Sequence, residues 1–372
     1  VNKIVNLVVR GRGTRQYPAD GLLLISSRGD EPPLKMAASS ARPGDFLGVT
    51  YGAEWATTEA VLPRPPERRP RGNEQAITIP EHLTDELALF LGAYFSEGHT
   101  NLSNWTVVIT NSVDRVLEQV QRACFATFGL PGRIVHRADK CPGFVVASKR
   151  LVEFLTLLGC GGRASEKRVP EVIAGSTREH VIRFLQGAAL DAYTCCGTLP
   201  RWAICLDSHA GIDDLQDLVT CLGIPNAQIA KWNKDYQKHY YELYASGRDG
   251  QVLSQLVPFL EPYKEVRAQE FRKLTSVGRD WSDVIPGLRG TELYDLIPRG
   301  QSGRNGVGTG RQRFRYLRDA RTRHITRASV LRAAEAGAVL PPWLEHLVES
   351  TKRFYPVIGV GDLPMSGRSS AP

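Results

Sequence analysis

The chain has 372 residues, 42% of them hydrophobic and 23% charged, a soluble globular composition long enough for two or three domains. No apolar run reaches the ~18–20 residues of a membrane span, and the opening VNKIVNLVVRGRG is too polar and too short for a signal peptide, so no membrane partner is expected. A net charge of +8 favours an anionic partner, nucleic acid first; seven scattered cysteines without a C-x-x-C pair argue for reduced thiols and a cytoplasmic location, not zinc or a disulfide framework.

Residues 1–60 read as short strands and turns, with "NLVVR", "GLLLISS" and "DFLGVTYG" punctuated by Gly, Pro and Asp. Residues 61–75, rich in Pro and Arg, can form neither a helix nor a paired strand and read as an extended linker. Two segments of about 100 residues then follow the same plan, 76–180 and 181–280. "WTVVITNSVDRVLEQVQRACFATFGLPGRIVHR" has its counterpart in "RWAICLDSHAGIDDLQDLVTCLGIPNAQIAKW". Each offers an alternating strand, a polar helix cap, an amphipathic helix, a proline and a second strand. Each continues into another strand and another helix, and each is preceded by an apolar helix that ends on an acid. The fold class expected is α+β, with two αββαββ copies forming one pseudo-twofold domain with two sheets. From 281 to 372 the texture changes. Residues 299–327 hold nine arginines against one acid, Asp319, and such one-sided charge reads as a DNA-backbone contact region. The tail "GDLPMSGRSSAP" reads as disordered.

The acid-ended helices carry the most chemistry. In "LALFLGAYFSEGHT", Ala88, Gly92 and Ser96 fall at i, i+4 and i+8, a face of small side chains only. Such a face admits a second helix to backbone contact, and Gly187 with Ala188 offers the same in the second copy. If the two helices pack together, their terminal acids, Glu97 and Asp191, meet. Adjacent carboxylates repel each other and also face the negative ends of two helix dipoles. Hard oxygen ligands in need of a compensating cation point to Mg²⁺, and metals held by paired acids under a basic surface suit phosphodiester hydrolysis.

"LGAYFSEG" and "FLQGAALDAYT" resemble the two motifs of a single-chain, intein-type LAGLIDADG homing endonuclease. "VVASKRLVEFLTLLG…EKRVPEVIAGSTREHVIRFLQG" is similar to the family's stretch between motifs, and the resemblance covers roughly residues 76–280. It implies a duplicated αββαββα domain whose two antiparallel sheets form a saddle on DNA, a monomer with an internal pseudo-dimer. It implies that Glu97 and Asp191 are the metal-binding acids, sharing two or three Mg²⁺ ions, with Mn²⁺ able to substitute. Lys167 in "EKRVP" and Lys264 in "EPYKEVR", 70 and 73 residues after their acids, are the implied catalytic lysines. The implied DNA contacts are Arg133, His136 and Arg137 in the first copy, and Arg201, Lys231, Trp232 and Lys234 in the second. Arg311, Arg313 and Arg315 join them from the basic region. The second motif departs from the pattern: Asp191 lies four residues after Gly187, whereas Glu97 lies five after Gly92.

The flanks resemble a degenerate Hint splicing module, in "RGTRQYPADGLLLISS…ARPGDFLGV" and "RFYPVIGV". Where that module has a Thr-x-x-His element this chain has Tyr17-Pro18-Ala19-Asp20, it opens on Val1 and it ends in Ala-Pro, so splicing by this chain is not expected. The function expected is site-specific double-strand cleavage of a long DNA target with Mg²⁺, giving short 3′ overhangs. A catalytically degenerate DNA- or RNA-binding regulator or maturase, or a strand nickase, is the alternative.

Overall fold

The computed structural model describes residues 3–29, 31–59, 61–66, 75–275, 283–298, 310–319 and 325–363. The chain divides into two compact units, Gly52–Gly278 and a second that joins Val1–Tyr51 to Arg279–Pro372. Most of the expected Pro/Arg linker (67–74), much of the arginine-rich stretch (299–309 and 320–324) and most of the expected tail (364–372) lie outside the described residues. The tail's first three residues, 361–363, are not disordered but continue the strand Lys352–Leu363, paired with Ile4–Val9.

The Gly52–Gly278 unit is built on two acid-ended helices. The first, Asp85–Glu97, starts where the Thr84 hydroxyl accepts from the Leu87 amide at 3.2 Å, with Asp85 and Glu86 in its first turn. The second, Arg178–Ala188, starts on Thr177 and runs into a 3-10 turn, Ala189–Asp191. Each leads directly into a four-stranded antiparallel sheet. The first sheet has the order Gly98–Asn101, Thr106–Thr110, Lys140–Ala147, Arg133–Arg137. The second has the order Ala192–Cys195, Arg201–Leu206, Lys238–Ser246, Ala227–Asn233. In both, the strands lie first, second, fourth, third. Amphipathic helices Asp114–Phe128 and His209–Cys221 connect the second and third strands.

Period-two alternation gives each sheet one face for the core and one that leaves it. Val107, Ile109, Phe144 and Val146 are buried in the first sheet, as are Trp202, Ile204, Leu243 and Ala245 in the second. All belong to one apolar cluster that also holds Phe90, Phe95, Phe184 and Phe271. One expected cap is made differently. The Asn111 side chain accepts from the Val113 amide at 2.9 Å ahead of helix Asp114–Phe128, where the N-cap Val113 makes no side-chain bond.

The other unit draws on both flanks. Its eight-stranded sheet pairs Ile4–Val9 with Lys352–Leu363, and Lys352–Leu363 in turn with Phe46–Thr50. Leu293, Val330, Leu344 and Phe354 form one of its cores, and Leu7, Ile25, Leu47 and Val357 the other.

The two acid-ended helices meet at backbone level. A Cβ placed on Gly92 would fall 2.0 Å from the Phe184 carbonyl oxygen and 2.9 Å from the Ala188 nitrogen. One on Gly187 would fall 2.3 Å from the Leu89 carbonyl oxygen and 2.6 Å from the Ala93 nitrogen. These neighbours are main chain and cannot swing aside, so Gly92→Ala and Gly187→Ala should each cost about 3 kcal/mol, the upper end of overpacking. Urea denaturation of each variant measures this; a loss below ~0.5 kcal/mol, the size of an ordinary surface substitution, would contradict the contact.

Candidate active site

Each acid stands at the junction of a helix and the first strand of its sheet. Glu97 is the last residue of Asp85–Glu97, and Asp191 closes the 3-10 turn. That turn offsets the missing residue of the second motif. Five α-helical steps from Gly92 to Glu97 rise ~7.5 Å, as do one α step and three 3-10 steps from Gly187 to Asp191. The rotation differs by only ~40°, instead of the ~100° that an unbroken α-helix would leave.

The two carboxyl groups lie close enough for each to feel the other's charge. Burial and the neighbouring Asp191 raise the pKa of Glu97 from 4.5 to about 7. Ser96, expected only as a small interface residue, donates its hydroxyl to Asp191 Oδ2 at 2.8 Å and so fixes the partner acid. Thr110, from the second strand of the first sheet, approaches Glu97 Oε2 at 3.4 Å. Sequence reasoning missed both roles; Ser96 and Thr110 acquire them only through tertiary pairing.

The lysines occupy matching places by different local means. Lys167 Nζ donates to the carbonyl oxygens of Ser96 at 2.9 Å and Tyr94 at 3.3 Å. Lys264 Nζ donates to the Leu190 carbonyl oxygen at 2.5 Å. Each ammonium thus sits on the residue before an acid, at the negative end of the acid's helix. Lys167 lies in extended chain pinned by helix His209–Cys221: Ser208 Oγ donates to its carbonyl at 2.6 Å, and Arg168 makes two bonds to Asp214. Lys264 lies in the first turn of helix Pro262–Arg272. Burial lowers the pKa of Lys167, with Asp191 and Glu97 pulling it back.

The donor set fits a hard divalent cation: two carboxylates side by side, with a repulsion that added positive charge would relieve. Among the described residues no third His, Cys, Asp or Glu joins them in a metal-ligating cluster. Remaining ligands would have to be water, main chain or substrate oxygen.

The sequence-expected DNA contacts do not share one surface. Strand alternation puts Arg133 on the face of the first sheet away from the core. A register shift separates Val135 from Arg137, and His136 turns toward Asp114 at the start of helix Asp114–Phe128, 3.6 Å away. In the second sheet Arg201 and Lys231 share the face opposite Trp202 and Leu243. Both cations converge there on Glu242, which is fully buried and also bonded by the Tyr193 hydroxyl, with Arg201 Nη2 at 3.4 Å. Trp232 lies on the other face against His239, and Lys234 follows the strand in the hairpin turn. Arg311, Arg313 and Arg315 belong to the other unit, in the 3-10 helix Gly310–Arg318; Arg311 pairs with Asp295 at 2.8 Å and stacks on Tyr294.

No known protein-family profile matches the chain. It is 29% identical over 203 residues to the replication factor C small subunit of Methanocaldococcus jannaschii, covering 53% of this chain and 10% of that one. It is 30% identical over 149 residues to a subunit of the A-type ATP synthase of Pyrococcus horikoshii, covering 39% and 13%. The chain thus spans only about a tenth of the length of the curated relatives it matches. Its structural neighbours include homing endonucleases. The I-DmoI complex with DNA and Ca has a TM-score of 0.38 at 18% identity, covering 50% of this chain and 97% of that one. I-WcaI bound to its DNA recognition sequence has 0.34 at 10% identity, covering 50% and 85%. Full-length DUF199/WhiA from Thermatoga maritima has 0.35 at 11% identity, covering 72% and 91%. No helix among the described residues is long and apolar enough to cross a membrane.

The acid pair has a consequence for stability without metal. An unfolded Glu97 ionises near 4.5, whereas the folded one holds its proton to about 7. The folded state binds more protons over that window, so its stability falls as pH rises from 4.5 to 7 and then levels off. Glu97→Gln removes this loss. In EDTA its melting temperature should gain on the wild type between about pH 5 and pH 8; a difference independent of pH would contradict the coupled pair.

Proposed function

We propose that the chain is a site-specific, divalent-metal-dependent DNA endonuclease of the LAGLIDADG homing type, built from a duplicated domain that cuts both strands of a long duplex. The observation that carries this reading is the meeting of Glu97 and Asp191, each followed by a four-stranded sheet and each attended by a lysine at its helix end. Duplex DNA has two strands of opposite polarity, and a site with two near-equivalent halves suits it.

The reaction is hydrolysis. A water oxygen forms a bond to phosphorus, the P–O3′ bond breaks, and the departing 3′ oxygen gains a proton. A divalent cation, when bound, supplies the activation of that water and charge neutralisation at the leaving oxygen. Glu97 and Asp191 would hold the cation, with Mg²⁺ as the expected ion and Mn²⁺ as a substitute. Ser96 keeps Asp191 in place, and Lys167 and Lys264 add positive charge where a phosphate would approach. Arg133 on the first sheet, with Arg201 and Lys231 on the second, supports DNA binding across the outer faces.

The intein-type origin draws support from two observations. The sequence relatives carry names with no shared activity, and each is matched over a small part of its length, as fits a module carried inside host proteins. Both flanks of the chain also join in one sheet around the Gly52–Gly278 unit's place in the sequence, as a degenerate splicing module would. Short 3′ overhangs are the expected products.

The test is a supercoiled plasmid bearing the uninterrupted junction of the sequences that flank the chain's coding region, incubated with Mg²⁺ or with EDTA. Linear product with Mg²⁺ only is expected, and Glu97→Gln should slow cutting by more than ~10²-fold while binding persists. Nicked circles alone would mean that one half is inactive. Binding without metal-dependent cleavage would leave the regulator or maturase reading in its place.

A further inference from the structure

The two halves of the site differ at one buried carboxylate. Three residues before Lys264 stands Glu261, 3% exposed, with Oε2 2.7 Å from Lys264 Nζ. Its other oxygen accepts from Asn111 Nδ2 at 3.2 Å, a residue of the first half, and lies 3.5 Å from the Tyr263 hydroxyl. Three residues before Lys167 stands Ala164. The nearby Glu166 turns back to its own loop, accepting from the Arg163 amide at 3.0 Å. Among the described residues no carboxylate forms an ion pair with Lys167. One catalytic-site cation therefore has a buried anion of its own, whereas its counterpart faces only the shared acids Glu97 and Asp191.

We infer that Glu261 is a positioning residue that acts through Lys264, and that it makes the two halves cut their strands at unequal rates. A carboxylate 2.7 Å from an ammonium in a part-buried setting cancels most of the field that the ammonium projects. Lys264 is thus a weaker stabiliser of developing negative charge than Lys167, and the strand it serves is cut second. Removing the charge from Glu261 frees Lys264 without casting it loose, because its bond to the Leu190 carbonyl remains. The Asn111 bond gives the arrangement its rigidity, tying the end of a first-half strand to the second-half lysine.

This inference rests on the nuclease reading, and strand-resolved cleavage tests it. A duplex containing the cleavage site mapped on the plasmid carries a different dye on each 5′ end and is cut under single-turnover conditions with Mg²⁺. The strand slowed more by Lys264→Met identifies the one that Lys264 serves. In the wild type that strand should be cut more slowly. Glu261→Gln should speed it about fivefold relative to its partner, a change of about 1 kcal/mol in barrier. Glu261→Asp, which keeps the charge but retracts it, should fall between the two and guards against a misfolded Gln variant. In a Lys264→Met background Glu261→Gln should leave the strand ratio unchanged. Equal rates in the wild type, a slower Lys167 strand, or a Glu261→Gln variant that slows both strands alike would overturn the inference while leaving the nuclease reading intact. A wild type that cuts neither strand with Mg²⁺ would overturn both.

Discussion

Everything in the candidate site depends on two helices touching through their backbones. Gly92 and Gly187 leave no side chain between the facing carbonyls and amides, so the helix ends are held closer than ordinary side chains permit. Two carboxylates are then forced together at the negative ends of two helices. By itself this is an unfavourable arrangement, as the raised pKa of Glu97 records. The apolar cluster around Phe90, Phe95 and Phe184 offsets it, and two lysine ammoniums on the last carbonyls compensate it in part.

What remains is the repulsion between the two carboxylates. A pair of acids with too little positive charge around it has affinity for a small, hard cation, and a cation held there would face whatever anion the sheets present. Each acid is followed at once by the first strand of a sheet, so the sheets fix where the acid pair stands. The geometry of the acid pair is set at those two helix-to-strand junctions.

The helix ending on Glu97 was legible because its small-residue face and its acid lie within one short apolar stretch of sequence; its cap, Thr84, came only with the structure. The strands were legible from alternation and from the proline and glycine between them. The 3-10 turn before Asp191 was not: a spacing of four where five was expected looks like a defect in sequence, and only the tighter winding restores the reach. Glu261 and Glu242 were invisible for a related reason. Their partners, Asn111 and Lys264 in one case and Arg201, Lys231 and Tyr193 in the other, are assembled by tertiary pairing. The expected DNA-contact residues divided by face, since one step along a strand turns a side chain from one surface to the other. Lys231 and Trp232 are neighbours in sequence and lie on opposite faces.

The shared metal is the central claim, and its most direct test is crystallographic. Crystals grown with a duplex containing the cleavage site and with Mn²⁺, measured at the manganese absorption edge, would locate the ions by anomalous scattering. The account predicts a peak within coordination distance of both a Glu97 oxygen and an Asp191 oxygen. Peaks confined to one acid, or found only elsewhere, would contradict it.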